Sequence, residues 1–201
     1  MALAVIVLAL LAVSGIHPHD GFTWFLEIAP ILIAFPILAF TYKRFPLTPL
    51  AYRLIAIHAV ILMVGGHWTY ANVPFGFWLR DTFHLARNPY DRIGHFAQGF
   101  VPAVLAREIL LRRTPLRPGG WLFYIVTSIC LAISACYEFI EWWTAVGTGT
   151  RAEAFLGTQG DPWDTQWDMF MAFIASMIAQ LTLARVQDKQ LDRLLGATRS
   201  N

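Results

Sequence analysis

The 201-residue chain is 57% hydrophobic and 14% charged, with a mean hydropathy of +0.52 and a formal net charge of +2. Soluble domains carry about 25% charged residues, so this composition excludes an ordinary soluble enzyme and places the chain in a lipid bilayer. No cluster of Lys and Arg is interleaved with stacking aromatics, which argues against nucleic acid as a partner.

Six apolar segments approach the length of about 20 residues that a membrane-spanning helix needs. In chain order they cover residues 1–16, 22–42, 51–70, 90–111, 121–145 and 164–186. The first segment lacks a basic start, so we expect a retained helix rather than a cleaved signal peptide. The sequence therefore predicts an all-α bundle of six transmembrane helices that forms one integral membrane domain over residues 1–201.

The basic residues predict the orientation of this bundle, because short loops rich in Lys and Arg stay on the cytoplasmic side. Eleven basic residues fall in the second-to-third connection, around the fourth-to-fifth connection and in the tail: Lys43, Arg44, Arg53, Arg107, Arg112, Arg113, Arg117, Arg185, Lys189, Arg193 and Arg199. The connections 71–89 and 146–160 must then face outward, and both termini are expected in the cytoplasm.

Two segments, NPYDRIGH (88–95) and DPWDTQWDM (161–169), open the fourth and sixth helices in the same way. Asn or Asp before a proline accepts the free N–H groups of a helix start, so we expect Asn88 and Asp161 to be caps. Asp91 and Asp164 follow in the first turn, where the positive end of the helix dipole favours a carboxylate. Capping and the dipole explain these four residues adequately.

The predicted topology also brings ionisable groups from four helices to one depth below the outer face. Asp91 and His95 share a helix face by their spacing of four, and so do Asp164 and Asp168. An ionised group in hydrocarbon is costly unless it is paired or hydrated, so His95, Asp168 and Glu138 favour a functional interpretation. Glu141 fits a site and an aromatic belt equally well. His67 follows Gly65 and Gly66, and helix packing explains it as well as ligation does.

Carboxylates together with histidine are suitable ligands for a divalent ion such as Mn, Zn, Mg or Ca, and also suit general acid/base chemistry. A divalent metal ion is therefore the expected cofactor. The predicted metal ligands are His95, Asp168, Glu138, Asp164, Asp91, His67 and Glu141. In the turn 157–164, glycines could approach a phosphate if Arg92 or Arg151 supplied positive charge. Cys130 and Cys136 lie in one apolar run and indicate no disulfide framework.

Four stretches carry a family resemblance: GGHWTYANVPFG (65–76), NPYDRIGHFAQGFVPA (88–103), ACYEFIEWW (135–143) and FLGTQGDPWDTQWDM (155–169). Together they resemble the YjdF family of bacterial inner-membrane proteins, over about residues 20 to 190. The resemblance implies a six-helix protein of the bacterial inner membrane and no established reaction. The order of the polar helices is also similar, more distantly, to VanZ-like proteins, which implies cell-envelope or lipid-linked ligands.

Two functional hypotheses remain open on the sequence. In the first, the protein is a membrane-embedded enzyme or metal-dependent binding protein that acts on an envelope or lipid-linked ligand. In the second, it is a structural or accessory subunit of a membrane complex, and its polar residues lock helices together. A cation or proton transporter is less favoured, because the ionisable groups cluster at one face instead of forming a relay across the membrane.

Overall fold

A computed structural model of the protein describes residues 2–149 and 153–199, and every regular element in these ranges is helical. The all-α prediction is thereby confirmed, while Arg151 lies outside the described residues. The elements are α1 (Ala2–Ser14), α2 (Gly21–Thr41), α3 (Pro49–Trp68), a 3₁₀ turn (Tyr70–Asn72), α4 (Pro74–Phe83), α5 (Tyr90–Arg113), α6 (Gly120–Thr148), α7 (Glu153–Leu156) and α8 (Asp164–Arg199).

Four of these helices, α2, α3, α6 and α8, are long and apolar enough to cross a membrane. They correspond to four of the six predicted segments. The other two segments also form helices, but α1 has only 13 residues and α5 carries many polar and charged side chains. Within α8 the helix continues to Arg199, well beyond the predicted end at residue 186, and α4 and α7 occupy stretches predicted to be connections.

The polar helix α5 lies at the centre of the bundle, where it packs against α3, α6 and α8. Its closest approach is to α8 at Gly99, where an added Cβ would lie 2.0 Å from the carbonyl oxygen of Ala172. Eleven residues of α5 are buried, among them Asp91, His95, Arg107 and Glu108. The polar character of α5 therefore follows from its position, because its charged groups meet partners inside the bundle.

The 3₁₀ turn wedges the ring of Tyr70 between α3 and α5. A Cβ on Gly65 would lie 2.5 Å from this ring, and a Cβ on Gly94 would lie 2.6 Å from it. The two glycines thus leave a slot that only a flat side chain fills. Tyr70 then packs against the ring of Tyr90, at 5.7 Å between centroids. This contact fixes the spacing of α3 and α5 at the end of the bundle where the ionisable residues gather.

Polar contacts connect the helices at the opposite end of α5. The buried carboxylate of Glu108 accepts hydrogen bonds from the Thr48 backbone N–H at 3.0 Å, the Thr48 hydroxyl at 2.7 Å and Arg112 at 2.9 Å. Arg107 donates to Gln187 at 3.0 Å and to Asp188 at 2.8 Å. Arg107 and Arg112, two of the basic residues that predict orientation, therefore also help to hold α3, α5 and α8 together.

The helix starts follow capping rules. The Thr23 backbone N–H donates to the Asp20 carboxylate at 2.6 Å, which lowers the pKa of Asp20 below its usual range. Asn88 Oδ1 accepts the Tyr90 N–H at 3.0 Å, and Asp161 Oδ1 accepts the Trp163 N–H at 2.9 Å. Each side chain thus accepts a backbone N–H just before its helix, but neither is the N-cap that the sequence predicts. Pro89 directly precedes α5 without a side-chain cap, and α8 begins at Asp164, beyond Asp161.

Candidate metal centre

The N-terminal ends of α5 and α8 meet the C-terminal part of α6, and this crossing assembles the predicted site. Each helix contributes two carboxylate or histidine side chains, and all six are at most 9% exposed. These residues are Asp91, His95, Glu138, Glu141, Asp164 and Asp168. Six of the seven residues predicted as ligands thus lie in one buried region.

The imidazole of His95 is the centre of this region. On one side, Nε2 lies 3.6 Å from Asp91 Oδ1 and 3.8 Å from Asp168 Oδ2. On the other side, Nδ1 lies 2.9 Å from the Gln98 amide oxygen and 3.8 Å from Glu138 Oε1. An amide oxygen only accepts, so in the neutral tautomer that makes this bond Nδ1 carries the proton and Nε2 is left with a lone pair that faces Asp91 and Asp168.

The distances between imidazole and carboxylates fit a bridging cation better than direct hydrogen bonds. Nitrogen–oxygen hydrogen bonds fall at about 2.7–3.2 Å, so 3.6 and 3.8 Å are too long. Two ligands that are each about 2.1 Å from one ion lie about 3.0 to 4.2 Å apart, depending on the angle at the ion. Two groups of potential ligand atoms lie within 4.8 Å of one another: Asp91 with His95 and Asp168, and His95 with Glu138 and Glu141.

Arg92 joins α5 to the start of α8 through three carboxylates. Its guanidinium donates to Asp168 at 2.6 Å, Asp164 at 2.9 Å and Asp161 at 3.0 Å. The side chain is 16% exposed, so these pairs are mostly screened from water. The partner of Asp164 is therefore an arginine and not the imidazole of His95.

Arg87, which is not among the predicted site residues, forms a parallel bridge between the same helices. It pairs with Asp164, donates to Asp91 at 3.1 Å, and donates to the carbonyl oxygens of Thr158 and Gly157 at 3.0 and 3.2 Å. Its spacing of four from Asp91 is the signal that indicates this pair. In the turn proposed to approach a phosphate, these two carbonyl oxygens are occupied by Arg87.

Glu27 is a further member of the region that the sequence analysis missed. Its side chain comes from α2 and is only 4% exposed. The Tyr137 hydroxyl donates to Glu27 Oε2 at 3.4 Å, and the Tyr137 ring meets the His95 ring edge-on at 6.3 Å between centroids. Glu27 is the one ionisable residue of the apolar segment 22–42, and this isolation is the signal that indicates it.

His67, the seventh predicted ligand, has other neighbours. Its Nδ1 lies 2.9 Å from the Ser14 carbonyl oxygen, and its ring packs edge-on against Trp68. It belongs to neither of the two ligand groups found among the described residues. In this structure His67 links the end of α3 to the end of α1, which is the packing alternative for this residue. Cys130 and Cys136 are both free thiols.

Comparison with known proteins supports the resemblance drawn from the sequence. Residues 1–189 match the profile of DUF2238, described as "Predicted membrane protein (DUF2238)". Inner membrane protein YjdF of Escherichia coli (strain K12) is 50% identical over 184 residues, which cover 92% of this chain and 88% of that relative. No solved structure matches the chain. The chain is an integral membrane protein that belongs to the DUF2238 family of predicted membrane proteins.

Proposed function

We propose that this protein is a metal-dependent protein of the bacterial inner membrane that acts on or holds an envelope or lipid-linked ligand at the outer face. The observation that carries the proposal is the geometry around His95. Its Nε2 and the carboxylates of Asp91 and Asp168 are spaced for a common divalent ion and are too far apart for hydrogen bonds.

Charge supports the same proposal. Within the part of the chain that the structure describes, the region holds seven carboxylates and two guanidinium groups, those of Arg87 and Arg92. The carboxylates are those of Glu27, Asp91, Glu138, Glu141, Asp161, Asp164 and Asp168. After the two arginines are matched with Asp161 and Asp164, five buried carboxylates remain around His95. An ionised carboxylate without a partner in a low-dielectric interior costs several kcal/mol, so each of these groups either takes up a proton or pairs with a cation, and a divalent cation removes much of the cost.

The residues around His95 could prepare such an ion for chemistry. The Gln98 amide oxygen accepts a hydrogen bond from Nδ1–H of His95. This bond orients the ring with Nε2 toward the carboxylates, as outer hydrogen-bond partners do for metal-bound histidines. Arg92 donates to Asp168 and fixes the carboxylate that would share the ion. A bound divalent ion would polarise an oxygen of the ligand, and the carboxylates that do not bind the ion could exchange protons with that ligand.

We propose that all six predicted segments cross the membrane as one domain, with both termini in the cytoplasm. The 24 residues of α5 span about 36 Å at 1.5 Å per residue, enough to cross, and its charged groups face protein instead of lipid. The name of the Escherichia coli relative supports the inner membrane. Alkaline phosphatase fused after Leu85 should be active and a fusion at the C-terminus inactive; the reverse pattern would refute this orientation.

A second candidate function, a structural subunit of a membrane complex, is favoured by one observation. Arg87 and Arg92 join six acidic or carbonyl partners across α5, α8 and the turn before α8, and this arrangement locks the outer end of the bundle without any ligand. A structural role of this kind requires the arginine ion pairs. It does not require that His95 Nε2 face two carboxylates without a hydrogen bond to either.

Metal content distinguishes the two functions. Protein purified in mild detergent and equilibrated with Mn²⁺ or Zn²⁺ should retain stoichiometric metal in the wild type. The ion held by His95, Asp91 and Asp168 should be lost in His95→Ala and in Asp168→Asn, because each variant removes one of its ligands. His67→Ala is the matched control and should keep its metal, since His67 lies with Ser14 and Trp68. A wild type that binds neither metal would refute the proposed function and leave the structural one.

A further inference from the structure

The two nitrogens of the His95 ring face two different sets of carboxylates. Nε2 faces Asp91 and Asp168, at 3.6 and 3.8 Å. Nδ1 faces Glu138 at 3.8 Å, and Glu141 lies within the same group of potential ligands. The carboxylates come from α5 and α8 on the first side, and from successive turns of α6 on the second. The ring therefore separates two groups of carboxylates. Asp91 and Asp168 line the first compartment, and Glu138 and Glu141 line the second compartment.

We propose that the centre binds two divalent cations, one on each side of the His95 imidazole. This inference rests on the proposed metal centre and adds a second ion to it. The first ion is held by His95 Nε2, Asp91 and Asp168. The second ion is held by Glu138 and Glu141 and has oxygen ligands only.

The hydrogen bond between His95 and Gln98 decides how the two ions differ. The Nδ1–H group donates a hydrogen bond to the Gln98 amide oxygen at 2.9 Å, so Nδ1 itself is not a metal ligand. Oxygen-only coordination favours Mg²⁺, Ca²⁺ or Mn²⁺, whereas the imidazole at the first position also suits Zn²⁺.

An independent observation points to a ligand on the second side. Among the described residues, Oε1 of Glu138 is a buried oxygen without a hydrogen-bond partner, and the whole residue is only 6% exposed. This oxygen is the atom that lies 3.8 Å from Nδ1, so it is directed into the second compartment. A buried, unpaired carboxylate oxygen is costly, and a cation at this position satisfies it directly.

Charge balance favours two ions over one. Five carboxylates remain around His95 after the arginines are matched: Glu27, Asp91, Glu138, Glu141 and Asp168. With all five ionised, one divalent ion leaves an excess of three negative charges among buried groups. Two divalent ions leave an excess of one, which a single proton on Glu27, beside the Tyr137 hydroxyl, would remove.

Mn²⁺ is the best probe, because both proposed sites accept it. Equilibrium dialysis of detergent-purified protein against Mn²⁺, followed by elemental analysis, should give two Mn²⁺ per chain. The double variant Glu138→Gln/Glu141→Gln should bind one, and the retained ion itself reports that the variant is folded. The single variant Glu141→Gln should weaken the second ion without affecting the first. Asp81→Asn is the control, because Asp81 is an exposed acid whose side chain is 67% accessible.

Each other result has a definite meaning. One Mn²⁺ per chain in the wild type, unchanged in the double variant, would overturn the two-ion inference and leave the proposed function intact. Two ions retained in the double variant would also overturn it, by placing the second ion elsewhere. Loss of both ions together would show one shared site. No bound Mn²⁺ or Zn²⁺ in the wild type would overturn both the inference and the proposed function.

Discussion

Replacing Gly99 with alanine is expected to destabilise the bundle by about 1–3 kcal/mol, the usual cost of an overpacked core position. The added methyl group would lie 2.0 Å from the Ala172 carbonyl oxygen and 2.5 Å from its Cα. These are backbone atoms of α8 and cannot rotate away, so α5 and α8 must separate. Thermal unfolding in detergent, followed by circular dichroism, measures the loss.

Gly147→Ala is the matched control for this substitution. Gly147 is also helical, but an added Cβ there meets nothing within 4 Å. Its replacement should leave stability unchanged or raise it by up to about 1 kcal/mol, the difference in helix propensity between glycine and alanine. Equal stability of Gly99→Ala and the wild type would contradict the close crossing of α5 and α8.

Replacing Arg92 with methionine is expected to cost about 3–5 kcal/mol, the range observed when one partner of a buried ion pair is removed. Methionine preserves much of the side-chain volume, but it leaves Asp161, Asp164 and Asp168 without this guanidinium. The measurement is again thermal unfolding in detergent, at neutral pH.

Two further variants test whether charge causes this loss. Arg80→Met removes an arginine whose pair with Asp81 is exposed, and such surface pairs contribute about 0–1 kcal/mol. The double variant Arg92→Met/Asp164→Asn removes one buried charge of each sign and should recover part of the stability. If Arg92→Met proves as mild as Arg80→Met, the arginine network does not hold the outer end of the bundle.

Much of the fold is predictable from the sequence, because long apolar segments have few alternatives in a bilayer. The observed starts of α5 and α8, at Tyr90 and Asp164, agree with the predicted ones, since caps and prolines mark them. The helix α4 escapes prediction because its ten residues are too few to stand out between membrane segments. The extension of α8 beyond residue 186 escapes because its charged residues resemble a tail.

The site was predictable where helix spacing and topology determine it. Asp91, His95, Asp164 and Asp168 follow from spacings of four on two helices that begin at one face. The pairing of Arg87 and Arg92 with these acids depends on the side-chain packing of α5 against α8, which no local pattern encodes. The sequence likewise does not show that Glu27 of α2 reaches Tyr137 of α6, because that contact joins residues 110 positions apart.

The polar residues of this bundle are thus divided between two tasks. Arg87 and Arg92 with their aspartates fasten the end of the bundle where α5 and α8 begin, and Glu108 with Thr48 and Arg112 fastens the other. His95 differs from both sets, because its Nε2 faces two carboxylates that are beyond hydrogen-bond distance. This difference is the reason for placing the proposed metal centre at His95 and not at Glu108.

Pulsed electron paramagnetic resonance of the Mn²⁺-loaded protein tests this role most directly, because it detects nitrogen bound to the ion. The wild type and His67→Gln should both show modulation from a directly coordinated imidazole nitrogen. His95→Gln should lose that modulation, whether or not an ion remains bound to the carboxylates. Bound Mn²⁺ without nitrogen modulation in the wild type, or modulation that persists in His95→Gln, would contradict a metal centre built on His95.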